Sequence, residues 1–182
     1  MGQYFIAVNT TKKEFIHPHN FGDGQKFLEF SDGGGFLGGL ALLLRQSTQG
    51  GGGDWLGYTS PVKALEEYPC VGSWAGDAIC IVGDYDKSHL YHDAENPDLD
   101  YNDVSFPIMR AMAADHYTRT KLQGALDWRM NPAYTGLGCN DKELAKYKRI
   151  FEEPTFQERA VGLPEPEQMA SRLFNREEKD EK

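Results

Sequence analysis

The sequence predicts an α+β fold: a mixed or mainly antiparallel sheet with an N-terminal hairpin, packed by several helices. Three observations carry that expectation. Two runs rich in strand formers, residues 4–8 and 14–17, flank a polar turn at residues 9–13, so the chain begins as an antiparallel hairpin. A continuous apolar stretch, residues 78–82, is bracketed by Gly-Asp pairs and reads as a strand covered on both faces, expected at the sheet centre. Helical patterns then account for much of the second half.

Taken in order, Pro18 lacks an amide hydrogen and ends the second strand, residues 21–24 turn the chain, and residues 26–30 fit a strand or a helix. Residues 40–45 favour a short buried helix. Ser60 and Pro61 suit the start of a helix that runs to Glu67, with Pro69 just beyond. Residues 86–103 hold six carboxylates, one lysine and Pro97, the composition of a solvated loop. Ser105 can cap a helix over residues 108–123, with Ile108, Met109, Met112, Ala113 and Tyr117 on its apolar face; a second helix is expected over 141–151. Residues 1–163 are expected to form one domain, because 182 residues with 40% hydrophobic content support a single core. Residues 164–182 read as a charged tail, mobile or weakly helical.

Nineteen Lys and Arg stand against 28 Asp and Glu, a net charge of -9 that repels phosphate backbones and disfavours nucleic acid and anionic membranes as partners. No apolar run reaches the roughly 18 residues of a membrane span. Residues 1–6 lack a basic segment followed by an apolar one, and three widely spaced cysteines support neither a disulfide framework nor a thiolate zinc site. A reducing, cytoplasmic setting is the expectation.

Twelve of the 20 glycines fall between positions 22 and 57. Gly33, Gly35 and Gly38 fit Gly-x-Gly-x-x-Gly ahead of a predicted helix, where glycines permit close backbone approach and unpaired amides point at negative charge. A dinucleotide site would also need a second strand ending in an acidic residue. Asp54 has the right offset but follows Gly50, Gly51, Gly52 and Gly53. The candidate ligand surface is therefore Gly33, Gly34, Gly35 and Gly38, with Trp74 as a stacking face and Asp84 and Asp86 as an acidic turn. Packing of the following helix is the competing account of the glycines. Candidate metal ligands are His17 and His19, which alternate near Asp23, and His92, three residues from His89 and close to Asp84. Cys80 sits inside the apolar stretch and is expected to be inert; Cys70 and Cys139 lie near turns without a local histidine.

The segments Met1-Gly2-Gln3-Tyr4, His17-Pro18-His19-Asn20-Phe21-Gly22-Asp23-Gly24 and Gly72-Ser73-Trp74-Ala75-Gly76-Asp77 through Gly83-Asp84-Tyr85 resemble a family of small, uncharacterised prokaryotic and phage proteins. That resemblance implies a recurring N-terminal domain and brings no activity with it. Residues 27–35 are also similar to the Glu-x-Gly-x-Gly-x-Gly loop of S-adenosylmethionine-dependent methyltransferases, with Ser31 in place of the first glycine. Asn131-Pro132-Ala133-Tyr134 is similar to the Asn-Pro-Pro-Tyr signature of the amino-group members. This resemblance implies an adenosyl cofactor on the glycine loop and a target amine at Asn131.

The resulting expectation is a noncatalytic binding or interaction module that recognises a basic protein patch or a small ligand; no cofactor is assigned. Two enzyme readings stand beside it. One binds an anionic or adenosyl ligand at residues 33–39, and the other is a divalent-metal hydrolase on His17, His19, Asp84 and His92.

Overall fold

Strand β1 (Phe5–Asn9) pairs antiparallel with β2 (Glu14–Ile16), Ala7 opposite Ile16 and Asn9 opposite Glu14, in a computed structural model that describes residues 2–31, 34–46, 55, 65–130 and 141–155. Asn9 sets the turn between them. It is fully buried, its Oδ1 accepts from the Thr11 and Lys12 amides at 3.0 Å each, and its Nδ2 donates to Asp77 Oδ2 at 2.8 Å. An asparagine here pairs two turn amides that an apolar side chain could not.

Strand β3 (Ile79–Gly83) pairs antiparallel with β1 and β4 (Asn102–Asp103) pairs parallel with β2, giving a mixed sheet in the order β3-β1-β2-β4. The fold is α+β, as the sequence predicts. One position differs: β3 lies at the sheet edge rather than its centre, with Ile81 39% exposed. Coverage of β3 is also uneven: Val82 is buried against α3, whereas Ile79 and Cys80 are half-buried and Ile81 is exposed, so the apolar run is not covered on both faces throughout.

On one face Ile6, Val8 and Val82 pack against Tyr91 and Ala94 of helix α3 (Leu90–Glu95), so the acidic stretch that reads as a solvated loop contains a helix. On the other face Ala7 and Ile16 join the main core with Phe21, Phe30, Phe36, Leu43, Trp74, Ile108, Met109 and Met112. That core is built by a 3-10 turn (Pro18–Phe21), α1 (Phe27–Ser31), α2 (Phe36–Leu44), α4 (Ser105–Ala114), α5 (His116–Met130) and α6 (Asp141–Glu152).

The single helix expected over residues 108–123 is two helices. Asp115 breaks it: its Oδ1 accepts from the Tyr117 and Thr118 amides at 2.9 and 3.2 Å, restarting the chain as α5. Tyr117 consequently turns outward, 67% exposed, instead of joining the apolar face. Arg119 then ties three helix ends together. Its guanidinium donates to the carbonyls of Ala113 at 3.2 Å, Glu153 at 2.7 Å and Phe151, where a cation also complements the helix dipoles. The helix start at Ser60 and Pro61 and the tail from 164 onward lie outside the described residues. No helix among the described residues is long and apolar enough to cross a membrane.

Candidate functional site

The described glycines of the predicted ligand loop serve helix packing. A Cβ on Gly35 would lie 2.8 Å from the Phe21 carbonyl oxygen, one on Gly39 2.7 Å from the Phe21 ring, and one on Gly38 3.2 Å from Met112 Cε. Gly34 stands against the Lys121 stem, and Gly33 lies outside the described residues. The anion that the amides at the start of α2 call for is supplied by the chain itself: the Phe36 amide donates to Asp23 Oδ2 at 2.6 Å. Asp23 is buried; desolvation pushes its carboxyl pKa up more than the Phe36 hydrogen bond pulls it down. Close packing against Phe21, Met112 and Lys121 accounts for Gly34, Gly35 and Gly38 without an anionic or adenosyl ligand. Asn131 and Tyr134, the other half of the methyltransferase resemblance, lie outside the described residues.

Trp74 presents no exposed ring face. It is fully buried and its indole donates to Glu14 Oε2 at 2.6 Å. Gly72 and Gly76, both at positive φ, turn the chain inward on either side and drive the ring into the core. Asp84 and Asp86 do sit together on the turn after β3. Asp84 Oδ1 accepts from the Tyr4 amide at 3.0 Å, and Asp86 Oδ1 from the Ser88 amide at 2.8 Å, which with the Ser88 hydroxyl lowers the Asp86 pKa.

The histidines are engaged in local structure. His17 Nδ1 accepts from the His19 amide at 3.2 Å, capping the 3-10 turn that Pro18 begins, while its Nε2 faces Glu95 Oε1 at 3.2 Å and the Gln25 side chain at 2.5 Å. His92 Nε2 instead meets the Asp84 carbonyl at 3.1 Å. Among the described residues no three His, Cys, Asp or Glu side chains are grouped to hold one metal ion, and His92 lies with Asp84 while His17 lies with Glu95 and Gln25. The 3-10 turn leaves the His17 and His19 rings 5.3 Å apart, centre to centre, with His17 Nδ1 committed to the His19 amide.

Among the described residues a concavity lies between α4, α6 and residues 67–70, with a volume of about 630 Å³. Phe106, Pro107 and Ile150 form its apolar floor, and Tyr68, Pro69 and Cys70 one wall. Arg110, Lys146 and Arg149 bring cations to it, Glu67 and Asp103 carboxylates. These charges are unequally used. Glu153 holds Arg110 Nε by a fork at 2.9 and 3.0 Å, and the guanidinium carbon lies 5.8 Å from the Tyr68 ring centre. Asp103 accepts from Asn20 Nδ2 at 2.8 Å and from the Ser105 amide at 2.9 Å; Val104 is the N-cap residue of α4, and the Ser105 hydroxyl accepts from the His17 amide instead of capping the helix. Lys146 Nζ lies 4.8 Å over the Phe106 ring. Arg149 is exposed one helical turn along the same face of α6, and Ile150 beside it reaches the floor.

The Cys70 thiol donates weakly to the Pro107 carbonyl at 3.5 Å, and burial pushes its pKa up to about 11, so near neutral pH it is not a nucleophile. The arrangement suits holding a molecule with a flat apolar body and an anionic end. Sequence reasoning missed this groove: the spacing of Lys146, Arg149 and Ile150 on a predicted helix was its one visible trace. No protein-family model, curated protein or solved structure matches the chain.

Proposed function

We propose that the protein is a noncatalytic binding module whose ligand occupies the groove between α4 and α6. The ligand class is a small aryl or alkyl carboxylate, its apolar body on Phe106, Pro107 and Ile150 and its anionic end toward Lys146 and Arg149. The observation that carries this reading is the meeting of an apolar floor with two cations from one helix face, in a chain whose net charge is -9. A volume of about 630 Å³ is in the range of small-molecule sites, roughly 300–1,000 Å³, and a few placed charges on an apolar lining are their usual chemistry. The protonated Cys70 thiol fits binding better than covalent catalysis.

Titration of the full chain with indole-3-acetate and with its methyl ester, followed by amide chemical shifts, tests the reading. The acid should shift resonances of Phe106, Lys146, Arg149 and Ile150, and the ester should bind about tenfold or more weakly, the loss of one charge-assisted hydrogen bond. Lys146→Glu with Arg149→Glu should abolish the preference. Equal binding of acid and ester, or shifts confined to other residues, would overturn the assignment.

A further inference from the structure

We infer that the outer edge of β3 is a second binding surface, one that takes up an extended, basic polypeptide segment as a fifth strand. The ladder with β1 shows which backbone groups are available. The Asp84 amide donates to the Tyr4 carbonyl and the Thr10 amide to the Ala78 carbonyl, each at 3.0 Å, and these pairs belong to the same register as Ile6 with Val82 and Val8 with Cys80. Antiparallel pairing alternates, so Ile79, Ile81 and Gly83 turn their amides and carbonyls away from β1. The Gly83 carbonyl is taken by the Asp86 amide at 3.0 Å. Those of Ile79 and Ile81 have no partner among the described residues.

The edge also lacks the devices that usually blunt one. Its register with β1 runs unbroken through five pairs, without a bulge, and residues 79–83 contain neither proline nor charge. Helix α3 covers the face formed by Ile6, Val8 and Val82, leaving Ile81 39% exposed at the edge. An edge of this kind accepts a strand by main-chain hydrogen bonds, and side chains at its ends decide which strand.

Charge makes that choice here. Asp77 stands before β3, Asp84 and Asp86 after it, and Asp93, Glu95, Asp98 and Asp100 follow with Lys87 as the single cation between 84 and 103. Lys12 pairs with Asp77 at 3.2 Å, so the excess lies at the Asp84–Asp86 end. A second copy of this chain would bring another net charge of -9 and its own acidic turn to the same edge. A segment with lysine or arginine flanking a β-branched run meets both demands. This surface is separate from the α4–α6 groove, so either assignment can fail alone.

The probe is a synthetic peptide of alternating valine and threonine between pairs of lysine, compared with a glutamate-flanked version and with one carrying a central proline. Hydrogen exchange at individual amides of the full chain is the readout. The Ile79 and Ile81 amides should exchange fast without peptide and about tenfold more slowly with the lysine-flanked one, and Asp84→Lys with Asp86→Lys should remove that protection. The glutamate and proline peptides should leave both amides unprotected. Slow exchange at both amides without peptide, equal protection by the glutamate peptide, or concentration-dependent dimerisation that protects them would each overturn the proposal.

Discussion

Gly22 and Gly76 allow the approach of α5 to the 3-10 turn to be measured, because they share a backbone conformation and differ in what surrounds them. Their φ angles are 84° and 85°. Replacing either by alanine places a Cβ in the left-handed region at about 1–2 kcal/mol, offset by about 0.4–1 kcal/mol from the stiffer unfolded chain. At Gly76 nothing lies within 4 Å of the new atom, so G76A should cost no more than about 1.5 kcal/mol. At Gly22 the Cβ would lie 2.1 Å from the Ala125 carbonyl oxygen and 2.4 Å from its carbon. Backbone of a helix anchored by the buried Leu122 and Leu126 cannot turn aside as a side-chain tip can. Overpacking of this kind adds about 1–3 kcal/mol. For a chain of this length 1 kcal/mol moves Tm by about 2–4 °C, so G22A should melt about 2–12 °C below G76A. Circular dichroism melts of both variants and the parent, with urea midpoints as a check on constant m, give the difference. Equal losses would refute the reasoning, since they would mean that α5 does not press on the turn.

Asp23 makes stability depend on pH. Its folded pKa is raised above the ordinary 3.8, so the folded state binds the proton more tightly; the stabilisation is full below 3.8 and is lost as pH rises through the folded value. Urea titrations from pH 3 upward should show the parent losing stability relative to Asp23→Asn across that window, and a relative gain would contradict the assignment. Arg119→Met should cost about 2–4 kcal/mol, since three carbonyls at the ends of α4 and α6 lose a charged donor; a loss within about 0.5 kcal/mol, as at an ordinary surface site, would show that the staple is unimportant. Cys70, with its thiol pushed up to about 11, should be alkylated by iodoacetamide far more slowly than glutathione at pH 8, with a rate still climbing at pH 10 when followed site by site by mass spectrometry. A plateau below pH 9 would refute its burial.

The sequence reveals local order well and neighbours poorly, and single residues show why. The hairpin was readable because β-strand formers and an Asx turn at Asn9 lie within a dozen residues of one another. The edge position of β3 was not, because an apolar run is silent about what lies beside a strand in the sheet. Asp115 could have been recognised as a cap, but the apolar spacing on either side of it is nearly continuous, so only the outward Tyr117 betrays the break. The glycine loop is ambiguous for a physical reason: the same freedom from a Cβ that lets a phosphate approach a helix start lets Phe21 and the Asp23 carboxylate approach it. Gly-x-Gly-x-x-Gly reports close approach, not what approaches. The groove failed to show for the converse reason, since Phe106 and Pro107 come from one helix and Lys146, Arg149 and Ile150 from another about forty positions on, and no spacing rule joins them. Among the described residues, the α6 cations beside an apolar lining and the outer edge of β3 are two features that stay outward. Asp23 is turned to the Phe36 amide, the Trp74 indole to Glu14 and the His17 imidazole to Glu95, so several residues whose chemistry looked suggestive are ones the fold uses on itself.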